Sequence, residues 1–295
     1  MEITTRPLPE GLAGWLAEPG DFGKPGSIGL AWLGQAGFVL RIGETVMLVD
    51  PYLSDHLAQK YRGTRFPHER MMPAPIAPDA FQRVDLVVCT HRHSDHMDPG
   101  TLPLLAARHP ECLFVVPGAE LAYAASLGLP AQRLIAANAG QSLRPLPDLD
   151  LLLHPLPAAH ERLEQDDQGQ HRFLGYVIEA SGLRLYHSGD CIPHEGLADA
   201  VRALAPHLAL LPVNGRDAGR AQAGVPGNFT LDEAIALCAE TGIAHLIPHH
   251  FGLFAFNTAD PVLIDAAAMR QAALDVRPGL LRPDTRNAFL LCPGD

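Results

Sequence analysis

The sequence lacks three features that would each indicate a class of protein. No basic run longer than two residues occurs, and the formal net charge of the 295-residue chain is −11, so the electrostatic footprint of a nucleic-acid-binding protein is missing. No apolar run approaches the ~18 residues that a membrane-spanning helix needs. The N-terminus has no basic segment followed by an apolar core. We therefore expect no nucleic-acid partner, no membrane span and no secretory signal peptide.

Cysteine is scarce, and its spacing forms no recognisable pattern. Because no CxxC pair occurs, neither a disulfide framework nor a zinc ribbon is indicated. The five scattered cysteines are Cys89, Cys112, Cys191, Cys238 and Cys292. Reduced, mostly buried thiols are typical of cytosolic proteins, so we expect a cytoplasmic location.

The sequence consists largely of short apolar runs separated by turns. "IGLAWLG", "GFVLRIG" and "TVMLVDP" predict a strand meander that ends at Asp50. The polar stretch at 52–78 has little periodicity and predicts a long loop. In both halves of the chain strands come first and strand–helix units follow, with no linker between the halves. This order predicts a single α/β domain over residues 1–295, with two stacked mixed sheets and helices outside.

A cluster of metal-ligand side chains follows one predicted strand. The segment "THRHSDHMDPG" begins at Thr90 and contains His91, His93, Asp95 and His96, directly after the apolar run at 84–89. Ligand-type residues at a strand end are well placed for chemistry. Three later strand ends carry further candidates, which are His160, Asp190 and His250. Taken singly, each also fits a hydrogen-bonded histidine or a turn aspartate, and residue chemistry alone does not choose between His249 and His250.

The segment "HRHSDH" resembles the HxHxDH motif of the metallo-β-lactamase superfamily. The order of a strand-end Asp50, the motif, His160, Asp190 and His250 is also similar to that superfamily. Within it, "WLGQAGF", "LYHSGD" and "IPHHFGLFAFNTADP" look most like the L-ascorbate-6-phosphate lactonase group. The resemblance covers most of the chain and implies a four-layer αββα sandwich.

The resemblance implies a role for each of these residues. His91, His93 and His160 would hold one metal ion, Asp95, His96 and His250 a second, and Asp190 would bridge the two. His250 is chosen over His249 because the family pattern places the ligand two residues after Pro248. Behind the ligands, Asp50, His187 and His249 would orient or support them.

Imidazole and carboxylate ligands suit two divalent ions, with zinc or manganese expected and iron also compatible. Such a pair makes hydroxide available at neutral pH, and Asp95 would orient the water or carry a proton to the leaving group. The loop beginning "PVNGRDAGR" offers Asn214 and Arg216, with Arg220, for an anionic substrate. We expect Asn214 or Arg216 on the wall of a small cavity.

The leading hypothesis is therefore a metal-dependent hydrolase of a small lactone, ester or amide, with or without a phosphate group. The alternative is a phosphodiesterase that acts on a lipid or a nucleotide, since the same superfamily site performs both reactions. The substrate is expected to be a small molecule, and a homo-oligomer is compatible with the sequence. Di-iron redox chemistry is disfavoured, because a glutamate commonly replaces the second histidine of the cluster there, whereas this chain has His93.

Overall fold

A computed structural model describes residues 1–19 and 26–294 of the protein. The strands are β1 Glu2–Pro7, β2 Ile28–Gly34, β3 Gly37–Ile42, β4 Thr45–Val49, β5 Leu86–Val88, β6 Leu113–Pro117, β7 Leu134–Ala137, β8 Leu151–Pro157, β9 Leu174–Ala180, β10 Leu183–His187, β11 Leu208–Pro212, β12 His245–His249, β13 Gly279–Leu280 and β14 Asn287–Cys292. The α-helices are α1 Gly11–Ala17, α2 His56–Lys60, α3 Leu102–Arg108, α4 Leu121–Ser126, α5 Leu197–Leu204, α6 Ala218–Gln222, α7 Leu231–Thr241 and α8 Pro261–Leu274.

The strands form two mixed sheets. Within the described residues, one sheet has the order β1-β14-β2-β3-β4-β5-β6-β7 and the other the order β13-β12-β11-β10-β9-β8. The hairpin strands β2, β3 and β4 pair antiparallel, as the meander pattern predicts. Beyond β4 the pairing is parallel through β5, β6 and β7. In the second sheet β8, β9 and β10 are antiparallel, and β10 to β13 are parallel.

The two sheets pack face to face with helices on both outer faces. Alternate side chains of β2 and β3, such as Leu30 and Phe38, join the second sheet and α5, α7 and α8 in one apolar core. The opposite side chains, such as Ala31 and Val39, pack with α1, α3 and α4 in another. This alternation follows from the two-residue period of a strand. The four-layer αββα sandwich predicted from the sequence is confirmed.

Some elements escaped sequence reasoning because their local patterns are weak. Strand β1 is mostly exposed and polar, and it is held by antiparallel pairing with β14 at the sheet edge. Helix α1 buries only Leu12 and Trp15. The predicted long loop contains the short helix α2, together with a 3₁₀ turn at Pro78–Ala80. Throughout the ranges that the structure describes, no helix has the length and apolar character needed to cross a membrane.

Candidate metal centre

The predicted ligands come from the ends of strands in both sheets. His91, His93, Asp95 and His96 follow β5 in the first sheet, where residues 91–97 form turns. His160, Asp190 and His250 follow β8, β10 and β12 of the second sheet. Parallel strands present their carboxyl ends at the same edge of a sheet. The stacking of the two sheets therefore brings these seven side chains to one place.

Asp190 lies at the centre of the group. Its Oδ2 atom is 3.3 Å from His96 Nε2, 3.4 Å from His160 Nε2 and 3.3 Å from His250 Nε2. The residue before Asp190 is a glycine for two reasons. Gly189 has φ +61°, and a Cβ atom on this residue would lie 2.8 Å from the side chain of Thr90. The backbone thus turns tightly against β5, which delivers the Asp190 carboxylate between the two sets of histidines.

Three overlapping trios have ligand atoms within 4.8 Å of one another. We call His91, His93 and His160 the His93 trio, and Asp95, His96 and His250 the Asp95 trio. The third trio, His91, His96 and Asp190, lies between them. This grouping matches the two ion positions that the family resemblance implies, with Asp190 between them.

Hydrogen bonds from behind fix the orientation of several imidazoles. The Nδ1 atom of His96 lies 2.7 Å from Asp50 Oδ2, and Nδ1 of His160 lies 3.1 Å from the carbonyl oxygen of Gly227. Asp50 also accepts bonds from the backbone N–H and the hydroxyl of Thr90. Because Nδ1 donates in each case, Nε2 of His96 and His160 faces the cluster, and its lone pair is available to a cation when the ring is neutral.

The electrostatics of the cluster separate its histidines into two kinds. Burial lowers the pKa of His160 to about 4 and lowers the pKa of His91 well below its ordinary value. Burial also acts to lower the pKa of His250, but the Asp190 and Asp95 carboxylates raise it to about 9. Despite its burial, Asp190 has a pKa well below the usual range, because His250 and His96 stabilise its charge. The cluster therefore keeps the Asp190 carboxylate ionised despite its burial.

The residues present fit a pair of divalent cations. Within the described part of the chain, His91 Nε2, His96 Nε2 and Asp190 Oδ1 are buried and have no hydrogen-bond partner. Leaving buried polar atoms unpaired costs free energy unless another group compensates them. A cation at each position would engage these atoms, and five imidazoles with two carboxylates form a donor set typical of zinc, manganese or iron.

The tandem histidines of β12 have different surroundings. His250, at φ +62°, turns into the Asp95 trio. His249 instead stacks on His187, with ring centroids 4.8 Å apart, and meets Phe38 edge-on. His187 donates from Nε2 to the carbonyl of Ala36 and accepts the N–H of Gly189 at Nδ1. It thus holds the turn that carries Asp190.

Sequence reasoning missed Gln35, which reaches the cluster from the β2–β3 turn. Its Nε2 lies 2.8 Å from Asp95 Oδ2 and 3.1 Å from His250 Nε2. The segment "WLGQAGF" marked this glutamine as part of a familiar motif, but its type and spacing gave no sign of a role. Glutamine is chemically inconspicuous, and only the folding of the hairpin over β12 places it here.

A cavity of about 560 Å³ opens onto the cluster. Its inner end is formed by members of both trios and by Asp190. The long loop contributes the aromatic side chains of Tyr61, Phe66 and His68 to the lining, and residues 223–226 also line the cavity. Three cationic side chains, Lys60, Arg65 and Arg92, line the cavity and are exposed.

Neither Asn214 nor Arg216 lines this cavity, so that expectation is wrong. Arg216 makes a two-pronged ion pair with Glu233, at 2.6 and 2.7 Å. Glu233 belongs to the capping box of α7, so Arg216 stabilises a helix start. Asn214 is buried behind Asn257, to whose Oδ1 it donates at 2.7 Å, and Asn257 is the residue that reaches the cavity.

Comparison with known proteins identifies relatives over most of the chain. The family model described as a beta-lactamase superfamily domain matches residues 45–251. A UPF0173 metal-dependent hydrolase of Aeropyrum pernix is 31% identical over 245 residues, which cover 79% of this chain and 86% of the relative.

Solved structures share the fold. Igni18, a metallo hydrolase of Ignicoccus hospitalis, superimposes with a TM-score of 0.68 at 18% identity, covering 91% of this chain and all of that one. The isothiocyanate hydrolase from Delia radicum gut bacteria gives a TM-score of 0.67 at 16% identity, over 88% of this chain and 97% of that one.

Proposed function

Because the chain belongs to the metal-dependent hydrolases of the β-lactamase superfamily, we propose that it hydrolyses a small, anionic lactone, ester or amide. One observation carries this proposal. Seven ligand-type side chains converge, five of them line a cavity of about 560 Å³, and three exposed cationic side chains also line that cavity. That volume lies within the range of about 300–1,000 Å³ that is typical of small-molecule sites.

The His93 trio and the Asp95 trio would each hold one divalent ion, with Asp190 shared between them. Zinc or manganese is the metal that we propose, because the donors are imidazoles and carboxylates and no thiolate is present at the cluster. When bound, such a pair supplies Lewis acidity and a water-derived nucleophile at neutral pH. The oligomeric state and the cytoplasmic location stay predictions.

Asp95 is the residue that we propose for proton transfer. Its side chain lines the cavity and is 17% exposed, whereas the Asp190 side chain is 5% exposed. A carboxylate with this access is within reach of both a water and a leaving group. Asp95 would orient the water and then carry its proton to the departing oxygen or nitrogen.

The entrance supports an anionic substrate. No salt bridge to Lys60 or Arg65 occurs within residues 1–19 and 26–294, and Arg92 makes only a long 3.8 Å contact with Glu120. In a chain of net charge −11, three cations at one opening form a local positive field. Such a field attracts and orients a carboxylate or phosphate group. Lys60, Arg65 and Arg92 would therefore have the substrate-binding role that the sequence analysis assigned to Arg216.

The lactonase resemblance of "LYHSGD" and the cationic entrance together favour a carbonyl substrate that bears an anionic group. The test is a panel of lactones, esters and amides with and without a phosphate or carboxylate, assayed after reconstitution with zinc or manganese. We expect anionic carbonyl compounds to have the highest kcat/KM. Turnover of bis(p-nitrophenyl) phosphate above that of every carbonyl compound would replace this proposal by phosphodiester hydrolysis.

A further inference from the structure

Gln35 is built into the cluster by its backbone as well as by its side chain. It occupies the β2–β3 turn with φ +50° and is fully buried. Its carbonyl oxygen accepts the indole N–H of Trp32 at 3.0 Å and the backbone N–H of His250 at 2.9 Å. The turn and the His250 segment are therefore joined directly, and the position of the Gln35 side chain relative to His250 is fixed.

The side-chain amide engages the atoms that a cation would need. Gln35 Nε2 lies 2.8 Å from Asp95 Oδ2 and 3.1 Å from His250 Nε2. Both of those atoms belong to the Asp95 trio. At the other end of the amide, Oε1 is buried and has no hydrogen-bond partner among the residues described. The amide thus donates to Asp95 and places its N–H group beside His250 Nε2, while its own acceptor has no partner.

These contacts conflict with a cation at the Asp95 trio. A bound cation would engage Asp95 Oδ2 and His250 Nε2, and the N–H groups of Gln35 beside those two atoms would then point at positive charge. A half-turn of the amide exchanges its two ends and puts Oε1 where Nε2 lies. An amide oxygen beside a carboxylate and two imidazoles extends the donor set for a zinc or manganese ion.

We propose that Gln35 is a metal ligand of the Asp95 trio, providing its amide oxygen when the cation is bound. The buried, unpaired Oε1 and the two short contacts of Nε2 carry this inference. It rests on the metal centre and is independent of the substrate, so metal binding alone tests it and a wrong substrate class leaves it unaffected.

The experiment titrates metal-free protein with Zn²⁺ against a chromophoric chelator, and with Co²⁺ followed by visible absorption. We expect the wild type to bind two ions. Gln35→Ala should bind one ion normally and the other at least about 10-fold more weakly, since residues that only orient ligands already contribute about 10–100-fold to affinity. Gln35→Asn should behave similarly, because its oxygen is one methylene too short, and asparagine tolerates positive φ if alanine disturbs the turn. Gln35→Glu keeps an oxygen at the same reach and should bind at least as tightly as the wild type.

The Co²⁺ spectrum separates a ligand from a residue that only orients Asp95. Loss of a ligand should change the absorption of the weaker Co²⁺ equivalent in Gln35→Ala. A weaker equivalent with an unchanged spectrum would overturn the proposal, as would two wild-type affinities in Gln35→Ala or an Ala-like loss in Gln35→Glu. Gln59→Glu, at an exposed position of helix α2, controls for added charge and should bind as the wild type. Thermal unfolding of each metal-free variant checks the fold.

Discussion

Replacing Asp50 by Asn should disable the Asp95 trio while leaving the fold intact. Asp50 Oδ1 accepts the Thr90 N–H at 2.8 Å, and Oδ2 accepts the Thr90 hydroxyl at 2.6 Å and His96 Nδ1–H at 2.7 Å. In Asp50→Asn, the atom facing His96 becomes an N–H donor. His96 must then accept at Nδ1 and carry its proton on Nε2, the atom that points at Asp190. Nε2 of His96 then carries a proton, whereas a cation would need its lone pair.

The size of the effect follows from the bonds that change. A hydrogen bond to a charged group contributes about 1.5–3 kcal/mol. The asparagine still forms a hydrogen bond with His96, with donor and acceptor exchanged, which offsets part of the loss. We therefore expect the variant to lose about 1.5–3 kcal/mol of unfolding free energy. That is below the stability of about 5–15 kcal/mol that is typical of native proteins. The backbone should tolerate the change, because Asp50 has φ +44° and asparagine adopts this region readily. Residues that orient metal-bound histidines typically contribute about 10–100-fold to affinity or activity.

The assay measures Zn²⁺ stoichiometry, kcat/KM and urea unfolding of the same preparations. Asp98→Asn is the matched control, since Asp98 is also fully buried and its bonds go to Ser54, Gly100 and Thr101 rather than to an imidazole. The control should lose stability and still bind two ions. Wild-type Zn²⁺ binding and kcat/KM in Asp50→Asn would refute the argument that the Asp50 carboxylate sets the tautomer of His96.

Three further outcomes are expected. Asp190→Ala removes the carboxylate at the centre of the cluster, so kcat should fall by orders of magnitude while the circular dichroism spectrum stays native. Near-normal turnover with intact metal content would exclude Asp190 as a ligand shared by two ions. Arg216→Ala should leave KM unchanged. It should lower the unfolding free energy by at most about 1 kcal/mol, because the ion pair between Arg216 and Glu233 is partly exposed. A raised KM would indicate that Arg216 does contact the substrate. The double variant Lys60→Ala, Arg65→Ala should raise KM for anionic substrates more than for neutral analogues, and this difference should shrink at high salt. Equal effects on both substrate types would count against an anion-attracting entrance.

Many strands could be predicted from the sequence because their local hydrophobic pattern agrees with the faces that they bury in the fold. The alternating runs of β2, β3 and β4 bury one face in each core, so their period of two is imposed by the fold itself. Strand β1 has no such pattern. Its place is set by pairing with β14 at the other end of the chain, from Glu2 opposite Cys292 to Pro7 opposite Asn287, and no local rule reaches that far.

The sequence by itself determined which residue types gather at the centre. His91, His93, Asp95 and His96 adjoin one buried strand, and His160, Asp190 and His250 each follow another, so the ligand types and their order are local properties of strand ends. Only the tertiary structure decided that Gln35 joins them, and that Lys60, Arg65 and Arg92 line the cavity in place of Arg216. The physical reason is that a side chain's direction and its partners depend on segments far apart in sequence. Arg216 is paired with Glu233 on α7, whereas Lys60 at the end of α2 and Arg65 in the loop after it line the cavity.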